Sequence, residues 1–171
     1  DFTYVFRTAP ALSLMGQHLA AYAEKHRYKN ILIFYERNEY GRNLSNAFEH
    51  FAERHHIHVV ERLSYDKAAP PDFENVITKF KKFYFADAIL IAGNHPHIGE
   101  FVMQSREMGL ELPVIGGPEL LSQSFLDSAG KASEGVTGCS IVDLDSTRKE
   151  MRSFVVAYKK RYDKEPDIWA S

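Results

Sequence analysis

Two short apolar runs constrain this chain more than any other feature: ILIFY at 31–35 and DAILIAG at 87–93. A continuous apolar run of this length, bounded by turn signals, reads as a strand buried on both faces. Each run leads into a short polar turn, ERNEY after the first and Asn94-His95-Pro96 after the second, and then into a stretch with helical spacing. A strand that feeds a helix through a short polar loop is half of a βαβ unit. In open α/β sheets ligands bind at the carboxyl ends of such strands. The side chains of the first turn, Tyr35, Glu36, Asn38 and Tyr40, are therefore expected to face whatever the protein recognises.

The same alternation continues along the chain. Residues 2–7 read as a short strand. A helix is predicted at 13–26, with Leu14, Leu19, Tyr22 and Ala23 as its apolar stripe, and another at 41–55, with Leu44, Phe48, Phe51 and Ala52 on one face. A second strand, IHVVERL, covers 57–63. The loop at 64–71 holds two prolines, and Asp72 is placed to cap a helix at 72–84. A helix at 97–108 ends at Gly109. Short strands at 113–116 and 135–142 flank a helix at 120–128. The last helix spans 146–162, with Met151, Phe154, Val155 and Tyr158 inward and Asp145 as its N-cap. Repeated strand–helix alternation implies parallel strands with helical crossovers. The expected fold is α/β: a three-layer, doubly wound sheet of about five mainly parallel strands, helices on both faces, in a single lobe over 1–171.

Charge excludes some functions. The 21 basic and 23 acidic residues leave a formal net charge of −2, so no field steers the chain toward nucleic acid or an anionic membrane. No apolar run is long enough to span a bilayer, and the first residues carry no signal-peptide pattern. The single cysteine, Cys139, allows no internal disulfide and reads as a buried, inert thiol. The turn ERNEYG is not GxGxxG, and neither GxxxxGK[ST] nor GxSxG occurs, so no cofactor or nucleophile-elbow pattern is present. The first and third strands end without the clustered acids that would hold magnesium. His55, His56, His58, His95 and His97 are dense, but no acidic or cysteine partner has metal-ligand spacing.

The carboxyl-end turns carry the positive signal. Glu36, Asn38 and Tyr40 come from the first, Asn94 and His95 from the third, and Glu119 from the fourth, after Gly116-Gly117-Pro118. Aromatic rings and hydrogen-bonding groups from three turns on one edge suit a small polar ligand. A carboxylate held by a rigid Gly-Gly-Pro turn suits an ammonium or guanidinium group. Glu119 would equally complement the dipole of the helix that follows.

Several segments in order resemble one lobe of the type I periplasmic solute-binding proteins, the leucine/isoleucine/valine-binding family: YVFRTAP at 4–10, Tyr40-Gly41, DFENVITKFKK at 72–82, residues 87–117, ASEGV at 132–136 and FVVAYKKRYDKEPDIWA near the end. The resemblance implies a second lobe without its first. It implies a binding module rather than an enzyme, located in the periplasm or outside the cell. The full protein would clamp an amino acid or similar small polar solute between two lobes and engage a membrane permease or receptor partner. Tyr40 would line the cleft and Glu119 would receive the ligand's ammonium. Asn94-His95 stands where members often show aromatic residues, which favours a more polar or water-bridged solute. A ligand-sensing domain of a signalling receptor, or a flavodoxin-like enzyme, are the alternative expectations.

Overall fold

The computed structural model describes residues 10–68, 72–167 and 170. The strand expected at 2–7 lies outside them. The chain divides into two compact units, Asp1–Cys139 and Ser140–Ser171.

In the first unit the order is α1 (Leu12–Lys25), β1 (Asn30–Glu36), α2 (Glu39–Arg54), β2 (His58–Tyr65), α3 (Phe73–Phe80), β3 (Ala88–Ala92), α4 (His97–Glu107), β4 (Val114–Gly116), α5 (Gln123–Ala129) and β5 (Val136–Gly138). The five strands form one sheet in the order β2-β1-β3-β4-β5, every pair parallel. The two apolar runs are its interior: β3 is buried at every residue, and in β1 Ile31, Leu32, Ile33 and Phe34 are fully buried.

Alternate side chains feed two different layers. Leu32, Phe34, Ile89, Ile91 and Val114 join Phe73, Ile77, Phe80, Phe101 and Phe125 in one core beneath α3, α4 and α5. Phe34 stacks on Phe101 (centroids 4.1 Å) and on Tyr65 (4.9 Å). The opposite parity, Ile31, Ile33, Leu90 and Ile115, is equally buried and faces the side that carries α1 and α2. Those two helices meet so closely that a Cβ on Gly16 would stand 2.6 Å from Ala47.

The strand expected at 57–63 is present as β2, at the end of the strand order. Among the described residues it pairs only with β1, most of its residues are half-exposed, and an extra residue, Val60, bulges between Val59↔Ile31 and Glu61↔Leu32. It also runs two residues past the expected end at Leu63, because Ser64 and Tyr65 keep pairing with Tyr35 and Glu36.

Several boundaries differ for physical reasons. β5 is three residues long rather than eight because its partner β4 has only three, and a ladder cannot outrun its partner. Helix α3 stops at Phe80. Asp72 caps it as expected, accepting from Asn75 N at 3.0 Å. Helix α4 ends in a Schellman motif at Gly109 (φ +73°), whose N–H donates to Arg106 O while Leu110 N–H reaches Ser105 O. α1 and α2 end the same way on Arg27 (φ +61°) and His56 (φ +53°). His56 thus occupies a helix-terminating turn and shares no strand face with His58.

In the second unit α6 spans Lys149–Tyr162, with Arg148 at its N-cap. Asp145 is not the cap: it lies in a turn closed by Asp143, whose Oδ1 accepts from Asp145 N at 3.2 Å and whose O accepts from Ser146 N. Met151, Phe154, Val155 and Tyr158 form the less exposed stripe of α6, and Lys159 pairs with Glu165 beyond its end.

Candidate functional site

Parallel pairing brings the ends of β1, β3 and β4 to one edge, where their turns interlock. Asn38 caps α2, its Oδ1 accepting from Gly41 N at 2.7 Å, and so sets Tyr40 in the first helical turn. Gly41 is required at that point: a Cβ there would lie 2.2 Å from Glu36 O and 2.8 Å from Ala92 O. The start of α2 therefore sits directly on the ends of β1 and β3.

Tyr40 reaches across to the β4 turn and donates its hydroxyl to Glu119 Oε2 at 2.5 Å. Both side chains are only partly exposed. Gly117 makes room for the pair, since a Cβ on it would stand 2.0 Å from the Tyr40 hydroxyl and 2.6 Å from Glu119 Oε2. Burial raises the Glu119 carboxyl above the usual carboxylate range, and the Tyr40 hydrogen bond and nearby His95 draw it only partly back. The Tyr40 hydroxyl is likewise pushed up, first by burial and then by Glu119, so it remains a donor at neutral pH.

His95 does not stand free on the rim. Its Nε2 lies 2.7 Å from Ser122 Oγ and 3.0 Å from Glu119 O. A carbonyl oxygen only accepts, so Nε2 carries the proton and donates. The imidazole thereby ties the β3 turn, with its cis His95–Pro96 peptide, to the 3-10 turn Pro118–Leu121 that presents Glu119. Ser122 donates to Glu119 O at 2.8 Å and caps α5 by accepting from Phe125 N.

Glu36 does not face solvent either; it is 4% exposed. Its Oε2 accepts from Asn94 N at 3.0 Å, Asn94 Nδ2 at 2.9 Å and the Tyr65 hydroxyl at 3.4 Å. Where the chain leaves β3, the Asn94 N–H has no ladder partner, and Glu36 supplies one. Sequence reasoning missed Tyr65, whose hydroxyl is raised by burial and by Glu36. Its only signal was an aromatic residue two positions beyond the strand expected at 57–63.

The structure thus brings together Tyr40, Glu119 and His95 as one hydrogen-bonded group and Glu36 with Asn94 as another, while Asn38 is engaged in capping. Cys139 lies just past β5, its thiol raised by burial. Among the described residues no three His, Cys, Asp or Glu side chains come together as a metal set, and no helix is long and apolar enough to cross a membrane. A cavity of about 590 Å³ at the outer side of α4 and α5, lined by Met103, Arg106, Asp127 and Lys131, includes none of the rim residues.

A family model described as periplasmic binding protein matches residues 1–171. The Leu/Ile/Val/Thr-binding protein of Salmonella typhimurium is 28% identical over 138 residues, covering 79% of this chain and 37% of that protein. Two solved structures, each at 25% identity, superimpose closely. An ABC transporter substrate-binding protein of Desulfitobacterium hafniense in complex with Leu has a TM-score of 0.82 over 99% of this chain and 48% of that one. A putative branched-chain amino acid ABC transporter protein of Rhodospirillum rubrum has a TM-score of 0.85 over 96% and 47%. The chain therefore spans less than half the length of the relatives it matches.

Proposed function

The chain belongs to the periplasmic binding protein family, and from that premise we propose that residues 1–171 form one ligand-binding lobe of a two-lobed receptor. The receptor takes an amino acid or a similar small polar solute, works in the periplasm or outside the cell, and delivers its ligand to an ABC-type transporter in the membrane. The observation that carries this reading is the Tyr40–Glu119 pair: a partly buried carboxylate, held by one hydroxyl and presented at the sheet's ligand-binding edge. Such a group recognises an ammonium. The carboxylate of the ligand would be held by the opposing lobe, and closure of the two lobes about a hinge would signal occupancy. Relatives named for branched-chain amino acid binding support the solute class.

Isothermal titration of the full-length protein with the standard amino acids tests the proposal. At least one should bind, and Glu119→Gln should weaken it by about tenfold or more, as expected for loss of a charged partner. Binding that is indifferent to Glu119→Gln and Tyr40→Phe would remove the site assignment; no amino acid binding at all would remove the solute class.

A further inference from the structure

Parallel pairing also gathers the amino ends of the strands, on the edge away from the rim, and there charge is unevenly placed. The strand order β2-β1-β3 sets the turns α2–β2, α1–β1 and α3–β3 side by side. Lys25, Arg27, Lys29, Arg54, Lys81 and Lys82 stand exposed on or beside them. None of the six has an acidic partner within ion-pair distance among the described residues. Three acids share these turns. Glu24 pairs with His55 at 2.7 Å, Asp87 Oδ2 accepts from the backbone N–H groups of Lys29 and Asn30 at 2.7 and 2.8 Å, and Glu53 precedes Arg54. Asp87 thereby ties the β3 turn to the β1 turn, and His58 N, donating to Lys29 O at 2.7 Å, ties in β2. The cations sit on a stitched platform.

Helix dipoles account for a cation in the last turns of α1 and α2. They do not account for Lys29 and Lys82, which lie beyond the helix ends, nor for what the α3–β3 turn adds. Tyr84 is 92% exposed and Phe85 47%, and their rings meet edge-on at 5.6 Å. Beside them a hollow of about 330 Å³ is lined by Phe80, Phe83, Leu110 and Leu112. Rings this bare, next to lysines without ion pairs, match the chemistry of a lipid–water interface. There aromatic side chains sit at headgroup level and Lys and Arg meet anionic lipid. The net charge of −2 over the whole chain does not oppose this. At physiological salt, charges more than about 8 Å away are largely screened, so a surface senses the turns it touches. Nucleic-acid phosphates would suit the cations, but a duplex offers no apolar layer to receive Tyr84 and Phe85.

We infer that the amino-end edge of the sheet is a docking surface for an anionic lipid bilayer. The cations lie against headgroup phosphates while Tyr84 and Phe85 enter the interface. The rim is at the opposite ends of the same strands, so docking leaves it uncovered. The inference goes beyond the receptor reading and does not depend on an amino acid binding.

Sedimentation of the full-length protein with large vesicles tests it. Vesicles of equal parts phosphatidylcholine and phosphatidylglycerol should carry the protein down; phosphatidylcholine alone should not, and added salt should weaken the binding. Lys25→Gln and Lys82→Gln should each weaken it by about fivefold, the effect of one cation at such a surface. Lys67→Gln removes the same charge beyond the carboxyl end of β2 and should leave binding unchanged. Tyr84→Ser should weaken it by about fivefold or more in high salt as in low, because burial of a ring is not screened. Protein left in the supernatant with anionic vesicles, or equal recovery on phosphatidylcholine alone, overturns the docking role. So do folded Lys25→Gln, Lys82→Gln and Tyr84→Ser proteins that bind as the wild type does. Weakening by Lys67→Gln equal to that by Lys82→Gln overturns the assignment to this edge, and tighter binding to a single-stranded oligonucleotide than to the vesicles overturns the choice of lipid.

Discussion

Adding one methyl group at Gly117 should break the Tyr40–Glu119 pair without changing any charge. Gly117 has ordinary extended dihedrals (φ −75°, ψ −174°), so alanine meets no backbone strain there. Restricting the unfolded chain would by itself stabilise Gly117→Ala by roughly 0.4–1 kcal/mol. The new Cβ, however, would lie 2.0 Å from the Tyr40 hydroxyl and 2.6 Å from Glu119 Oε2, while its next neighbour, Leu44, is at an ordinary 3.4 Å. The hydroxyl must withdraw by more than its hydrogen bond can stretch. Losing a hydrogen bond to a charged group costs about 1.5–3 kcal/mol, so the net destabilisation should be about 1–2 kcal/mol. Urea denaturation measures it, with an unchanged m-value as the sign that only stability moved. A double-mutant cycle isolates the cause. In Tyr40→Phe the offending oxygen is gone, so Gly117→Ala should cost little, giving a coupling of about 1 kcal/mol or more. If Gly117→Ala is at least as stable as wild type, or equally costly in both backgrounds, the steric account of this rim is wrong.

The other predictions concern helix ends and titration. Gly109→Ala should cost about 1–2 kcal/mol in thermal unfolding, because the residue sits at φ +73° with nothing within 4 Å of the new Cβ, leaving backbone strain alone. Conversely, Arg27→Gly and His56→Gly, at φ +61° and +53° in the same kind of turn, should each stabilise by up to about 1 kcal/mol; destabilisation by both would refute the shared geometry. Burial raises the Glu119 carboxyl above its usual 4.5. The folded state therefore holds a proton that the unfolded chain has released, and this contribution to stability, present below the usual value, declines as pH rises through the window between the two. Glu119→Gln should flatten that decline in a pH series of melting temperatures, and identical slopes would refute it.

The sheet was legible because its defining signal is local. Ile31 to Tyr35 and Ala88 to Ala92 are apolar without interruption, which only a strand covered on both faces requires. Gly109 and Asp72 were legible as helix punctuation for the same reason: stop and cap act within four residues. What escaped depended on partners far along the chain. β5 looked long because nothing in GVTGCSIV says that β4 has only three residues to pair with. Arg27 and His56 stop helices in the left-handed conformation that glycine signals, so their turns carried no mark. Glu36 read as a rim residue facing the ligand, yet its Oε2 is engaged by Asn94, 58 positions away, and by Tyr65, 29 positions away.

The two rim carboxylates show how neighbours separate groups that residue type alone leaves equivalent. Glu36 closes β1 and Glu119 follows β4, and neither has a cation within ion-pair distance among the described residues. They differ in what satisfies them. Glu36 gathers donors from three groups on Oε2 and retains 4% of its surface, so that oxygen is committed to the turn after β3 and to Tyr65. Among the described residues Glu119 is held by one side-chain hydroxyl, that of Tyr40, at Oε2; it stays partly exposed and is steadied through its backbone carbonyl by His95 and Ser122. A carboxylate whose backbone is clamped while its side chain is lightly held has its direction set in advance and charge still to give. On the proposed function an incoming ammonium would gain from both without first having to order the wall. On the proposed function this division makes Glu119 the group offered to a ligand and Glu36 the one that holds the turn after β3.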